Sequence, residues 1–494
     1  MAEQNELFQL IKSLNRNEKG YFRKFTKLNS ENEDNNYLRL FDAIDAQEVY
    51  DETEIREFFK EQKFVQQLHV TKNYLFKLIL KSLRNYNSTT TASIQINELL
   101  TETEVLISKQ MFKAAKKHLQ KARKLALESC KNNYLPIIQR WEDGLHIANR
   151  FQDIDDHEFN SFRQSFLETF DDIKTTAEYE MLYAQLIRLY AKKRTVKNPN
   201  DKLEFDAIVQ HPLIANPPKS IGLYTKMVRL DLLAFYYSAN ADQKTYAEVN
   251  DQILKLLSAH PEYTHHVPYS LIHALQNTIN AYTAVGNFAE VPALINRLSA
   301  LKPRFERDRI SQAAVLLNVQ ISYYLRTGQF SDAKNYIETN SAHIEKVLAA
   351  LPAYSRYGQK LKLAAIYIFS KDYDKALLHI NQILQAKEIM QFSLYEEAKV
   401  WSVIAHYELK NYALMPHLLL SLTRLLIRKK RHTPFEQVFL QNFRKLSSLK
   451  NEQDILHFLK RFHEDLKSTI SNNPSFITSE QKEISLWLAH KAQV

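Results

Sequence analysis

Tyr282–Pro303 (YTAVGNFAEVPALINRLSALKP), Tyr324–Asn340 (YLRTGQFSDAKNYIETN) and Tyr367–Ile383 (YIFSKDYDKALLHINQI) repeat one spacing. Each opens on Tyr; Gly286, Gly328 or Lys371 follows four residues on, and Phe288, Phe330 or Tyr373 two further. Val291, Ala333 or Ala376 comes three later, and Ile295, Ile337 or Ile380 four after that. The Gly and Lys positions lie 42 and 43 residues apart. A fixed period in this range marks stacked supersecondary units, each too small to bury its own apolar face.

Helical hairpins extend outward from these copies. After Gly328, the residues Phe330, Ala333, Ile337, Ile344, Val347 and Leu351 form an apolar stripe of helical period, predicting one helix over 330–351. The preceding run AVLLNVQISYYL is apolar nearly all round, as expected of a helix sandwiched between neighbours. Ser270–Val285 pairs in the same way with Phe288–Leu301, Tyr354–Ser370 with Tyr373–Ala386, and Tyr395–Leu409 with Tyr412–Arg428. Asp231–Ser238 with Tyr246–His260 precedes them, and Glu98–Lys109 with Phe112–Glu128 repeats the pattern upstream. Residues 130–215 show blurred helical runs around Trp141, Phe166 and Leu186, closed by Asn216-Pro217-Pro218. The expected organisation is an N-terminal helical cap or small domain (1–92), degenerate hairpins (93–215), the repeats (216–430) and a C-terminal hairpin with a capping helix (431–494). That last helix follows the break Asn472-Asn473-Pro474 and starts with a capping box of Thr478 and Gln481.

Composition narrows the chemistry. Only 6 of 494 residues are glycine, against a usual ~7%, so phosphate-cradling loops are hardly available, and no GxGxxG or GxxxxGK[ST] occurs. Cys130 is the only cysteine, which excludes an internal disulfide or a thiolate cage and fits a reducing compartment. The first residues lack a signal-peptide pattern, and the longest apolar stretch, Leu418–Ile427, is far too short to span a membrane. A cytoplasmic protein is expected. The net charge of +10 is uneven: 101–150 holds 10 basic and 5 acidic residues, 151–190 holds 3 and 9, and 351–494 holds 21 and 13.

On these residues the repeat resembles the tetratricopeptide family, in a degenerate, long-period form of that α-solenoid superfamily. Leu275, Ile279, Tyr282, Gly286, Phe288, Ile295 and Pro303 fall on family positions; Tyr324, Gly328, Phe330 and Ala333, then Tyr367, Tyr373 and Ala376, continue them. Val291 departs from the family's Ala, and the period exceeds the family's value of about 34. The resemblance implies an all-α, right-handed superhelical solenoid of antiparallel helix pairs, with helical caps at both ends and a concave groove lined by the first helix of each pair. Groove positions carried over are His273, Gln276, Asn280 and Thr283, then Asn318, Ser322 and Arg326. The following units give Leu361, Ala365 and Ile368, then Val400, Ile404 and Tyr407, so the implied groove is polar in the middle and apolar toward the C-terminal end. The lysine with which some members clamp a carboxylate has no counterpart at those positions.

The implied function is a non-enzymatic scaffold that binds a protein or peptide partner in that groove. No catalytic residue, cofactor or metal ligand is expected. His265, His266 and His273 lack the three- or four-residue spacing that puts two rings on one helix face. Cys130 has no partner base in the sequence, and Asp155-Asp156 and Asp171-Asp172 diverge by about 100° on a helix. The basic runs Arg428–His432 and Lys192–Arg194 sit at helix ends and complement the dipole there. The rival reading is a nucleic-acid-binding regulator. The short helices at 36–86 would form a helix-turn-helix-like region, with Val70–Tyr86 as the reading helix, Lys72, Lys77, Lys81 and Arg84 on phosphate, and the solenoid as a sensor.

Overall fold

A helix ends where its last carbonyls need new donors, and the repeated Gly/Lys position marks that point. In the computed structural model Gly286 and Gly328 have φ of 78° and 72°, and Lys371 and Lys410 share their left-handed conformation at 59° and 60°. The next residue then bonds back five positions: Asn287 N–H to the Tyr282 carbonyl at 2.9 Å, Gln329 to Tyr324 at 3.0 Å, Asp372 to Tyr367 at 2.8 Å and Asn411 to His406 at 3.0 Å. This is the closure of a Schellman turn. Gln110 and Ala241 close their helices identically, with φ of 58° and 59°. The repeated spacing is therefore a turn requirement.

Side chains other than Gly cost about 1–2 kcal/mol in this conformation. Lys371→Gly and Lys410→Gly are each expected to raise the urea midpoint, by about 1 kcal/mol in stability. Gly328→Ala should lower it by a similar amount, although its added Cβ would meet nothing within 4 Å. A destabilised Lys371→Gly would show that the lysine side chain, not the turn, matters there.

The structure describes all residues except 1–5, 29–35, 87–90, 152–153, 194–198, 220, 391, 430–432, 473–478 and 494. The helices are α1 (Glu6–Ser13), α2 (Arg16–Leu28), α3 (Asn36–Ala46), α4 (Glu52–Phe58), α5 (Leu68–Tyr86), α6 (Ala92–Ser108), α7 (Phe112–Glu128), α8 (Leu135–Ala148) and α9 (Asp156–Lys193). They continue with α10 (Pro199–Val209), α11 (Pro212–Ala215), α12 (Leu223–Ala239), α13 (Gln243–Ser258), α14 (Pro261–His266), α15 (Pro268–Val285), α16 (Val291–Ala300), α17 (Glu306–Thr327) and α18 (Phe330–Thr339). The last are α19 (Ser341–Ala350), α20 (Ala353–Phe369), α21 (Tyr373–Gln385), α22 (Ser393–Glu408), α23 (Met415–Arg428), α24 (Pro434–Leu446), α25 (Glu452–Asn472) and α26 (Ser479–Ala492). Among the described residues there is no strand, and no helix is long and apolar enough to cross a membrane.

The chain forms two compact units, 1–159 and 160–494. The first has one core among α1–α5, around Phe22, Phe41, Leu75 and Ile79, and another among α6–α8, around Ile96, Leu119 and Ile138. In the second, Tyr179, Phe205 and Leu232 join α9, α10 and α12, and a large core runs from α17 to α26. The Pro217-Pro218 break lies inside this second unit, just after α11.

From α12 onward successive helices pack on one another, and α15, α17, α20 and α22 also pack each on the next. The motif aromatics bridge neighbouring pairs. Phe330 at the start of α18 stacks on Phe369 at the end of α20, with centroids 4.3 Å apart. Tyr373 on α21 donates to Glu408 on α22 at 3.2 Å. One expected helix is broken: 330–351 divides into α18 and α19 at Asn340, whose side-chain amide takes the Tyr336 carbonyl at 2.8 Å. Asn competes in this way with the helical ladder. The capping box expected at Thr478 lies outside the described residues; another caps α24, where Thr433 N–H bonds Glu436 at 3.1 Å.

Candidate functional site

Counting back ten and six residues from each left-handed turn residue gives one register on five long helices. It holds Asp231 and Phe235 on α12, Gln276 and Asn280 on α15, Asn318 and Ser322 on α17, Leu361 and Ala365 on α20, and Val400 and Ile404 on α22. The residues on α12, α15 and α17 are half-buried, whereas those on α20 and α22 are buried. Leu361, Ala365, Ile368, Val400, Ile404 and Tyr407 share one hydrophobic core with Ile484, Trp487 and Leu488 of α26. The apolar half of the expected groove is thus interior. Tyr407 meets Phe443 of α24 at 5.4 Å, and Phe369 meets His490 of α26 at 6.3 Å.

The polar half has a centre. Lys362 on α20 donates from Nζ to Asn318 Oδ1 at 2.7 Å and to Ser322 Oγ at 2.9 Å, both on α17. An ammonium has three donors, so one N–H remains, and no carboxylate lies within ion-pair distance among the described residues. The Asn318 amide N–H groups also remain. The sequence-level positions omit Lys362 because it stands one residue off the register and reaches across from the neighbouring helix.

The other expected residues divide. Gln276 and Asn280 are half-buried and make no side-chain hydrogen bond among the described residues. Thr283 is spent on its own helix, donating to the Ile279 carbonyl at 2.7 Å. Arg326 is half-buried in the last turn of α17. His273 lies with its ring 4.0 Å from Tyr269, its Nε2 buried without a partner, and burial lowers its pKa, which keeps it neutral.

Asp231 carries no motif and escapes sequence reading. Burial pushes its carboxyl up to about 6, and it has no hydrogen bond or ion pair among the described residues. The surroundings are aromatic. Tyr183 and Tyr190 of α9 meet Phe235 edge-on at 5.8 and 5.3 Å, and Tyr224 donates to Glu180 at 3.1 Å. Burial, together with the Asp231 charge, raises the Tyr183 phenol.

The remaining sequence features have structural duties. Cys130 is half-buried at a left-handed turn, and the N–H after it bonds the Ala126 carbonyl at 2.7 Å. Asp155 and Glu158 cap α9 reciprocally, while Asp172 accepts from Gly222 N–H at 2.6 Å and Thr225 at 2.7 Å, tying α9 to α12. Lys429 pairs with buried Glu396 at 2.5 Å; residues 430–432, and the side chains of 192–194, lie outside the description. Among the described residues no group of three or more His, Cys, Asp or Glu side chains is placed to hold a metal. The chain matches no family model, and neither the curated proteins nor the solved structures contain one similar to it.

Proposed function

We propose that this chain is a non-enzymatic, cytoplasmic helical-repeat scaffold that holds a protein or peptide partner on the polar register of its long helices. In this reading the repeats are tetratricopeptide-like antiparallel pairs in a right-handed superhelix, and α12, α15, α17 and α20 line its concave side. The observation that carries the reading is Lys362, fixed by Asn318 and Ser322 with one donor unspent. A held, half-buried donor has already lost its rotamer freedom, so a partner's carbonyl or carboxylate meets it without that cost. Asn280 and Gln276 supply further donors and acceptors for an extended backbone, and Asp231 adds a negative end to the row.

The test is selection of peptides from a displayed random library on the full chain, followed by affinities for the Lys362→Met/Asn280→Ala variant. A charge-assisted hydrogen bond contributes about 1.5–3 kcal/mol, so Kd is expected to rise at least tenfold, while loss of the bonds to Asn318 and Ser322 lowers the melting temperature modestly and leaves the circular dichroism of the folded chain unchanged. Equal affinity in the variant would remove this row as the site.

A further inference from the structure

The 19-residue helix α5 (LHVTKNYLFKLILKSLRNY) contains no acidic residue. Leu68, Thr71, Leu75, Ile79 and Ser82 face the core of the first unit. At about 100° per residue, Lys77, Lys81 and Arg84 fall within about 60° of arc at the middle of the opposite face. All three are exposed and have no ion pair among the described residues. Beside them on the same face stand Asn73, Val70 (55% exposed) and Tyr74 (51% exposed). The neighbouring helix α2 packs on α5, brings Tyr21 to 5.1 Å from Tyr86, and adds the exposed cations Lys24 and Lys27, which have no ion pair among the described residues. Lys72 is different: it donates to Tyr50 at 2.9 Å and to Glu52 at 2.8 Å, so it holds α5 to the start of α4.

A further basic helix of this unit is α7, where Lys113, Lys117, Lys121 and Lys124 are exposed. Its cleft with α6, however, is lined by Glu98, Glu102 and Glu128 as well as Lys121 and Lys124. That surface is mixed in charge, whereas the outward face of α5 carries one sign. Its cations are flanked by the Asn73 amide and by Val70, Tyr74 and Leu80 (45% exposed), apolar groups set apart around the helix instead of a continuous stripe, which suits base edges and phosphates better than a lipid interface.

We propose that α5 is a DNA-docking helix: its outward face enters the major groove of a duplex, with Lys77, Lys81 and Arg84 on phosphates and Val70, Asn73 and Tyr74 toward base edges. A helix fits that groove, and the α3–α4–α5 order leaves only residues 59–62 between α4 and the short 3-10 turn (Lys63–Gln67) that leads into α5.

The test measures anisotropy of a labelled 20-base-pair duplex of mixed sequence with the full chain, between 50 and 200 mM salt. Each phosphate contact contributes about −0.9 to the log–log salt slope, so three give a slope of about −3, and more if Lys24 and Lys27 take part. Lys77→Gln/Lys81→Gln/Arg84→Gln is expected to weaken binding at least tenfold and to flatten the slope by about 3. Lys113→Gln/Lys117→Gln/Lys121→Gln on α7 should leave binding within twofold, and both variants should keep the wild-type circular dichroism. The proposal is overturned by absence of binding at 50 mM salt, by an equal loss in the two triple variants, or by binding to phosphatidylglycerol vesicles without binding to the duplex.

Discussion

Replacing Trp487 with alanine is expected to lower stability of the second unit by about 3–5 kcal/mol and to make α26 the first segment lost to limited proteolysis. Trp487 is 1% exposed and lies nearly parallel to Phe443, with centroids 6.0 Å apart. Its indole N–H donates to Glu408 Oε1 at 3.0 Å. The other oxygen of that buried carboxylate accepts from Lys491 at 3.0 Å and Tyr373 at 3.2 Å. One side chain at the end of α22 therefore gathers α21, α22 and α26. Trp487→Phe keeps most of the apolar contact and loses one hydrogen bond, about 1 kcal/mol. Glu408→Leu leaves the buried indole and the half-buried Tyr373 hydroxyl and Lys491 ammonium without their acceptor, at about 1–3 kcal/mol for each buried donor left unsatisfied. Chemical denaturation of the three variants should rank Trp487→Ala and Glu408→Leu well below Trp487→Phe. Equal losses for Trp487→Phe and Trp487→Ala would mean that the hydrogen bond, not the packing, seats the helix.

This seat explains which parts of the architecture are legible in the sequence. The period is visible because a left-handed turn closed by a backward hydrogen bond constrains its own residues, and Gly286 and Gly328 show the requirement directly. Lys371 and Lys410 meet the same requirement at an energetic cost, so only their spacing betrays them. Apolarity nearly all round the run before Gly328 marks a helix between neighbours: Val315, Leu317, Val319, Ile321 and Leu325 of α17 are buried.

What covers a helix is not local information. Glu408 meets α26 across 79 and 83 residues of chain, and Lys362 reaches Asn318 and Ser322 across 44 and 40. Spacing alone cannot distinguish Leu361, which is core, from Asn318, which holds its place in the same register beside a cation. Asp231 is hidden for a related reason. Its helix ends on Ala241 rather than Gly, so no motif marks the register in which it stands.

Asp231→Asn is expected to stabilise the protein at pH 8 and to leave it almost unchanged at pH 4. The folded carboxyl titrates near 6 because burial disfavours the charge, against 3.8 in the open chain. Between those values the folded state binds more protons than the unfolded state, so stability falls as pH rises through the window. The penalty is fully present above 6 and absent below 3.8. That span corresponds to about 3 kcal/mol, and the remaining solvent contact of the side chain brings the expected gain to about 2 kcal/mol. Urea midpoints at pH 4, 6 and 8 should diverge progressively between wild type and variant; parallel curves would mean that the carboxylate is solvated and costs nothing. Retaining a half-buried charge that has no partner among the described residues is reasonable at this cost where the charge has work to do. On the proposed binding register, a lysine or arginine of the partner would pair with Asp231 and return its pKa toward the ordinary range. The same substitution is then expected to raise stability and to weaken binding of basic peptides, most strongly above pH 6. A purely structural residue would not produce those opposite signs, and a gain in stability with unaltered peptide affinity would exclude Asp231 from the site.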